Sequence, residues 1–135
     1  MYDDYAHNPD KVRAAIAGYR EIYPKERLIV VFQPHLYSRT QFFCDDFARV
    51  LGRVDKAVVT DLYPAREDPI PGVDSGLIVD SAQRQGFNNV MLLRDMNAVP
   101  AMLAPELQPG DVVLVLGAGN INRIAGAVLE ELEKR

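Results

Sequence analysis

Hydrophobic residues form five short runs along the chain, and each run predicts a strand. Four of them are rich in β-branched or aliphatic residues and are bounded by polar or turn-forming positions, as strands usually are. The first run, near the amino terminus, carries the weakest signal. The runs cover 2–5, 28–33, 57–60, 90–93 and 112–116. Residues 28–32 and 112–116 are apolar without interruption, which is typical of strands buried on both faces.

Apolar positions spaced three or four residues apart predict a helix after each run. The first helix has a strong start signal, because Asn8 is a favoured N-cap residue and Pro9 suits the first helical position. Four more helices are predicted over about 38–51, after 74 or 75, over about 97–107, and from about 121 onward. Strands and helices therefore alternate along the whole chain.

This alternation predicts an α/β fold. Parallel strands need crossover connections, so helices cover both faces of a mainly parallel sheet and form a three-layer sandwich with it. With 135 residues, of which 48% are apolar and 25% charged, the chain has the size and composition of one compact domain. We therefore expect a single domain over 1–135.

Charge and cysteine content exclude several classes of function. The net charge is −4 and the 15 lysines and arginines are dispersed, so no basic surface for nucleic acid is predicted. Cys44 is the only cysteine, which excludes a disulfide framework and predicts a packed thiol in a reducing compartment. No apolar run reaches the roughly 18 residues of a membrane span, and the acidic start is unlike a secretion signal. We expect a cytoplasmic protein that binds neither nucleic acid nor membrane.

Polar and glycine-containing segments follow four of the predicted strands. In open parallel sheets the ligand binds outside the carboxyl ends of the strands, so these segments form the candidate site. They cover 4–9, 33–40, 61–67 and 117–120. The loop 61–74 is long and carries three prolines, which favours a binding loop over a plain connection.

Residue types alone leave two interpretations open for the first segment. Asp4, Tyr5 and His7 precede a helix amino terminus, where an anion or a ribose would find hydrogen bonds and a favourable dipole. The same residues fit equally well a strand end with local pairing. His7 and His35 together with the aspartates do not show the compact spacing of a metal motif, so no metal ligand is predicted.

Arg39 follows the second strand, close to the start of a helix. Its planar guanidinium suits a phosphate or a carboxylate. A surface salt bridge with Asp45 or Asp46 is the more common arrangement, and residue types alone favour it.

Gly117 and Gly119 lie between an apolar strand and a helix, as in the opening of a dinucleotide-binding fingerprint. The third glycine of that fingerprint is replaced by Asn122, so a structural turn explains the segment at least as well and a nicotinamide dehydrogenase is disfavoured. The sequence also has no P-loop and no clear pair of nucleophile and base. The chain has the features of part of an active site rather than of a whole one.

Four motifs taken together resemble one family. Each is weak singly, but their order and spacing along nearly the whole chain are specific. From these motifs the chain is identified as a member of the Mur ligases, and it is most similar to those that join L-alanine to UDP-N-acetylmuramate. The motifs are Asp3-Asp4-Tyr5-Ala6-His7-Asn8-Pro9, Phe32-Gln33-Pro34-His35-Leu36-Tyr37-Ser38-Arg39-Thr40, Ile70-Pro71-Gly72 and Gly117-Ala118-Gly119-Asn120-Ile121.

The resemblance implies a fold and a reaction. Only the Rossmann-like carboxy-terminal domain of the family is represented, and the UDP-sugar domain and the central ATPase domain are absent from 1–135. ATP would phosphorylate the muramyl carboxylate, and the amine of L-alanine would then displace phosphate from the acyl phosphate. Mg²⁺ would be held mainly by the central domain, and this domain would be inactive alone.

The resemblance also implies roles for individual residues. Asp4 and Tyr5 match positions that bind the ribose and adenine of ATP, and His7 matches a histidine at the muramyl-alanine end of the substrate. Arg39 matches an arginine that orients the substrate carboxylate or phosphate, which reverses the interpretation from residue types. The remaining substrate-binding positions implied are His35, Tyr63, Arg66, Gly117, Ala118, Gly119 and Asn120.

Three positions depart from the family pattern. Leu36 stands where a second arginine is frequent, so a paired-arginine clamp is not expected here. Asn8 and Asn122 replace a frequent histidine and a frequent glycine. Two other functions remain as alternatives: an autonomous nucleotide-binding module without catalysis, and a small complete Rossmann enzyme, which fits least.

Overall fold

The computed structural model describes residues 2–4, 7–117, 121 and 123–134, with the backbone alone for 3 and 4. Strands and helices alternate within this part of the chain, and every predicted strand is present. Short 3₁₀ turns lie on either side of the fourth α-helix. The elements are β1 (Tyr2–Asp4), α1 (Pro9–Ile22), β2 (Leu28–Phe32), α2 (Tyr37–Leu51), β3 (Lys56–Val59), α3 (Gly76–Arg84), β4 (Val90–Leu92), α4 (Val99–Leu103), β5 (Val112–Leu116) and α5 (Arg123–Glu133).

The strands form one sheet in the order β1-β5-β2-β3-β4, and all four neighbouring pairs are parallel. From β2 the chain moves outward through β3 to β4, and then returns to place β5 on the other side of β2. The carboxyl ends of β2 and β5 therefore lie side by side at the point where the direction of winding reverses. In open α/β sheets this point forms the ligand crevice.

Alternate residues of the central strands enter two separate cores. Leu28, Val30 and Phe32 face a core shared with α1, α2 and α3. Ile29 and Val31 face the opposite core, which contains residues of α4 and α5. Helices thus cover both faces of the sheet, and the predicted Rossmann-like three-layer sandwich is confirmed.

The start of α1 also follows the prediction. Asn8 has an extended backbone, and its side-chain oxygen accepts a hydrogen bond of 2.8 Å from the backbone N–H of Lys11. Pro9 takes the first helical position, where its missing N–H leaves no intrahelical bond unmade. This cap fixes the direction in which the chain leaves the carboxyl edge of the sheet.

The predicted helix over 97–107 is wrong as a single element. The segment consists of a 3₁₀ turn at Met96–Ala98, the short α4, and a second 3₁₀ turn at Ala104–Glu106. Pro100 and Pro105 lie at the starts of the second and third pieces. A proline lacks the N–H for the helical ladder and its ring collides with the carbonyl four residues earlier, so each one ends the preceding piece.

Cys44 is partly buried against the core that contains α1 to α3. Burial and the neighbouring Asp45 raise the pKa of its thiol. Both effects disfavour the thiolate, which agrees with a packing role. Among the described residues, no helix is both long and apolar enough to cross a membrane.

Candidate ligand-binding site

Backbone pairing continues past the ends of the central strands and holds their following segments together. The N–H of Gln33 donates to the carbonyl of Leu116 at 3.0 Å, and that of Thr60 donates to the carbonyl of Phe32 at 3.0 Å. A Cβ atom on Gly117 would lie 3.1 Å from the backbone oxygen of Gln33 and 2.6 Å from Cγ2 of Ile121. Only glycine allows this close approach. The turn after β5 therefore requires glycine at position 117 for packing reasons.

The segments after β2 and β3 are joined by a backbone bridge between His35 and Tyr63. The N–H of Leu36 donates to the carbonyl of Tyr63 at 2.9 Å, and the N–H of Tyr63 donates to the carbonyl of Pro34 at 2.8 Å. The rings of His35 and Tyr63 stack with centroids 5.9 Å apart and planes inclined by 12°. Leu36 has a φ of 70°, a conformation that side chains other than glycine rarely adopt. Two predicted site residues are therefore brought together.

Arg39 lies in the first turn of α2, four residues after His35, and the two side chains meet. Nη1 of Arg39 is 3.4 Å from Nδ1 of His35. A guanidinium can only donate, so Nδ1 accepts and the ring proton of neutral His35 lies on Nε2. The ring of His7 stands edge-on to that of His35, with centroids 6.0 Å apart. The structure thus brings His7, His35, Arg39 and Tyr63 to one edge of the sheet.

Burial, Arg39 and His7 lower the pKa of His35 below its usual 6.5. Each of these influences opposes a positive charge on the ring. Because the pKa is lower in the fold than in the unfolded chain, His35 stays neutral at pH 7. Its contribution to stability is complete above about pH 6.5 and is lost as the pH falls through the lowered pKa.

Arg39→Gln should raise the pKa of His35 toward 6.5, since it removes a neighbouring positive charge. The measurement is an NMR titration of the His35 Hε1 resonance in the chain with and without the substitution. Arg84→Gln, at the end of α3, is the matched control and should leave the titration unchanged. A midpoint at or above 6.5 in the unsubstituted chain would contradict the arrangement.

The surface salt bridge favoured for Arg39 by residue types is wrong. Asp46 pairs with Arg49 at 2.5 Å, and Asp45 lies 3.6 Å from Arg84. Within the described part of the chain, no ion pair is recorded for Arg39. Arg39 instead helps to line an open cleft of about 530 Å³ between α1 and α2.

A contact that sequence reasoning missed fixes the loop after β3 to the start of α2. The carboxylate of Glu67 accepts a hydrogen bond of 2.8 Å from the backbone N–H of Ser38 and one of 2.5 Å from its hydroxyl. These bonds lower the pKa of Glu67 below its usual 4.5. The pairing depends on the conformation of the loop, where Ala65 has a φ of 54°, so no sequence pattern signals it.

Glu67→Ala should loosen this contact and increase the rate of hydrogen exchange at the Ser38 amide. Asp68→Ala, the neighbouring exposed carboxylate, is the control and should leave that rate unchanged. In the unsubstituted chain the contact stabilises the fold above about pH 4.5 and is lost as the pH falls through the lowered pKa of Glu67. Equal exchange rates in both variants would show that Glu67 does not hold the loop.

Arg94 forms a second polar cluster at the ends of β3 and β4, which the sequence did not indicate. Its Nη1 lies 3.5 Å from a carboxylate oxygen of Asp61 and 3.3 Å from one of Asp74. The three residues tie both ends of the long loop to the segment after β4. Asp61 and Arg94 also line a cleft of about 440 Å³ together with Tyr63.

The structure describes only some of the remaining predicted site residues. Arg66 is exposed on the same loop as Tyr63 and has no recorded ion pair among the described residues. The backbone of Asp4 pairs with Leu116 at the end of β1, beside the site. Four predicted positions lie outside the described residues: Tyr5, Ala118, Gly119 and Asn120. No group of three or more His, Cys, Asp or Glu side chains able to hold a metal is found in the part of the chain that the structure describes.

Comparisons with known proteins show which family this chain and its fold resemble. A UDP-N-acetylmuramate–L-alanine ligase of Saccharopolyspora erythraea is 44% identical over 134 residues, which cover 99% of this chain and 27% of that protein. The solved UDP-N-acetylmuramate-alanine ligase of Thermotoga maritima has a TM-score of 0.78 at 25% identity, covering 97% of this chain and 26% of the other. A MurF ligase of Thermotoga maritima in complex with ADP shares the fold, with a TM-score of 0.64 at 21% identity over 97% of this chain and 28% of that one.

These relatives are much longer than the chain, which spans less than a third of their length. The similarity to the curated ligases falls in their carboxy-terminal region. A family model described as "Mur ligase, glutamate ligase domain" matches residues 1–119. The chain belongs to the Mur ligase family and corresponds to its carboxy-terminal domain.

Proposed function

We propose that this domain serves the ATP-dependent joining of L-alanine to UDP-N-acetylmuramate, a cytoplasmic step of peptidoglycan synthesis. The observation that carries the proposal is Arg39 at the carboxyl edge of the sheet, without a recorded carboxylate partner among the described residues and beside His35. A guanidinium in this state is available for a ligand carboxylate or phosphate. The similarity to L-alanine ligases supports the choice of substrates.

In the proposed reaction, ATP transfers its terminal phosphoryl group to the muramyl carboxylate and leaves as ADP. The amine of L-alanine attacks the resulting acyl phosphate, an amide bond forms, and phosphate leaves with the electrons of the broken C–O bond. Arg39 would orient the carboxylate and then offset the negative charge of the acyl phosphate. These are tasks of positioning and charge stabilisation, which one domain of a composite site can perform.

Because His35 is neutral, it suits a hydrogen bond to a polar group of the substrate rather than an ion pair with an anion. Its Nε2–H is a donor, while Nδ1 is occupied by Arg39. His7 and the exposed Tyr63 flank the same point. Together they would give the amino acid and the muramyl group polar partners on the side of this domain. Closure of the domain over the other two would exclude water, which otherwise hydrolyses an acyl phosphate.

Mg²⁺ and the phosphates of ATP would be bound elsewhere in the full-length protein. We place Mg²⁺ mainly on the central domain, since no cluster of three or more carboxylate, histidine or cysteine side chains is found among the described residues of this one. Asp4 and Tyr5 are proposed to contact the ribose and adenine of ATP. The ADP bound in the solved MurF ligase supports the use of an adenine nucleotide.

The direct test uses the full-length protein that carries this domain. Release of phosphate should require both UDP-N-acetylmuramate and L-alanine, and the product should have the mass of the alanyl amide. The description of the matching family model names a glutamate ligase domain, so L- and D-glutamate are the informative control acceptors. Turnover with either glutamate but not with L-alanine would overturn the proposed acceptor.

The alternative, a nucleotide-binding module that acts alone, requires affinity in the isolated chain. An amide NMR titration with magnesium ATP and, separately, with UDP-N-acetylmuramyl-L-alanine follows His7, Arg39 and Gly117. Saturable shifts at His7 and Gly117 at micromolar ATP would favour the alternative, whereas shifts at Arg39 alone would not decide, because Arg39 also lines the cleft between α1 and α2. The absence of chemical-shift changes up to millimolar ligand would indicate a site that is complete only when the domains close.

A further inference from the structure

The cleft between α1 and α2 is positively charged, although the protein as a whole is acidic. We name it the arginine groove and define it by the charged residues that line it: Arg13, Arg39, Arg49, Arg53, Asp10 and Asp46. These side chains carry a net charge of +2, although the chain as a whole carries −4. Positive charge is therefore concentrated in one concave place on an acidic molecule, which attracts anions.

Only part of this charge is neutralised within the protein. Arg13 lies 3.3 Å from Asp10, and Arg49 lies 2.5 Å from Asp46. Both are solvent-exposed pairs at i,i+3 spacing, and such pairs are weak and readily exchanged for a better partner. Among the described residues, no ion pair is recorded for Arg53.

The shape of the groove suits a small molecule. Its volume of about 530 Å³ lies within the usual range for ligand pockets, about 300 to 1,000 Å³. Phe43 and Val50 give it an apolar wall. A smaller cavity of about 190 Å³ shares Arg13, Val50 and Arg53 with it and extends it toward Arg20.

The helices add to the positive potential. Asn8 and Pro9, at the start of α1, line the groove together with Arg39 from the first turn of α2. The amino ends of two helices of 14 and 15 residues therefore open on the same end of the groove. Their dipoles favour an anion at that end, whereas Arg49 and Arg53 lie at the carboxyl end of α2, where the arginines alone attract an anion.

We propose that the arginine groove is a binding site for a small molecule with two or more phosphate groups. Guanidinium groups from α1, from α2 and from the turn after α2 can contact more than one anionic group at once, and their planar forks match phosphate oxygens. The site is separate from the strand-end site, which it adjoins at Arg39. The proposal does not rest on the ligase reaction, so either can fail without the other.

The test is an amide NMR titration of the 135-residue chain with inorganic pyrophosphate at constant pH and ionic strength. Saturable shifts are expected around Arg13, Arg49 and Arg53. The double variant Arg13→Gln/Arg53→Gln should weaken binding by at least about tenfold, because each charge-assisted hydrogen bond contributes about that factor or more. Both side chains are exposed, so the variant should fold, which its unperturbed resonances elsewhere will verify.

Arg84→Gln removes an exposed arginine of α3 that does not line the groove, and it should leave the affinity unchanged. Three results would overturn the proposal. Shifts that chloride reproduces at equal ionic strength would indicate screening only. Shifts confined to the region of His35 and Tyr63 would assign the phosphate to the strand-end site. An unchanged affinity in the double variant would show that the arginine groove is not used.

Discussion

Replacing Arg39 by alanine in the full-length protein is expected to lower kcat for L-alanine-dependent phosphate release by about 100-fold, the usual loss when one preorganised donor to a developing anion is removed. The reason is the position of Arg39 at the carboxyl edge of the sheet, where its charge has no recorded carboxylate partner among the described residues. The same substitution should change the free energy of unfolding of the domain by no more than about 1 kcal/mol, since Arg39 is half-buried and its side-chain bond with His35 is long.

Two measurements distinguish a role in orientation from a loss of folding. Steady-state kinetics separate kcat from KM, and denaturation of the isolated domain reports its stability. Arg84→Ala is the control, because Arg84 is an exposed arginine whose only recorded ion pair among the described residues is a long one with Asp45. Unchanged kinetics in Arg39→Ala would remove Arg39 from the reaction.

Replacing Phe47 by alanine is expected to lower the free energy of unfolding by about 3 to 5 kcal/mol. Phe47 is fully buried at the contact between α2 and the sheet, with its ring 4.9 Å from that of Phe32 and 6.3 Å from that of Phe43. Removing it leaves a cavity under the helix that carries Arg39. Since a domain of this size is stable by only about 5 to 15 kcal/mol, the loss is a large share of the total.

Phe42 supplies a matched control on the same helix. Its side chain is 80% exposed, so Phe42→Ala should change the free energy of unfolding by less than about 0.5 kcal/mol. Urea denaturation of both variants at one pH gives the comparison. A loss in Phe42→Ala as large as that in Phe47→Ala would contradict the orientation of α2.

The sequence was sufficient to predict the layers of this fold. The uninterrupted apolar runs at Leu28–Phe32 and Val112–Leu116 predicted buried parallel strands because only a strand covered on both faces needs such a pattern. Asn8 and Pro9 fixed the start of α1 by local chemistry alone. The segment 97–107 failed because its apolar spacing is helical while Pro100 and Pro105 interrupt the hydrogen-bond ladder.

The candidate site was predictable where it depends on strand ends, and not where it depends on loop conformation. His35 and Tyr63 meet because they follow adjacent parallel strands, a relation that strand order implies. Arg39 reaches His35 because Leu36, with a φ of 70°, turns the chain into α2, and the sequence did not indicate that conformation. The contact of Glu67 with Ser38 requires a particular path of the chain after Tyr63, and the separation of the two residues along the sequence does not determine that path.

The backbone bridge between His35 and Tyr63 has a consequence for protein engineering. The two segments share hydrogen bonds through Leu36, so a change of length or path in one displaces the other. Exchanging the loop after β3 with that of a relative, in order to alter acceptor preference, would also move His35 and Arg39. Grafts at this edge should therefore transfer 33–40 and 61–67 as a pair, and a single-loop chimera should lose activity toward both the old and the new acceptor.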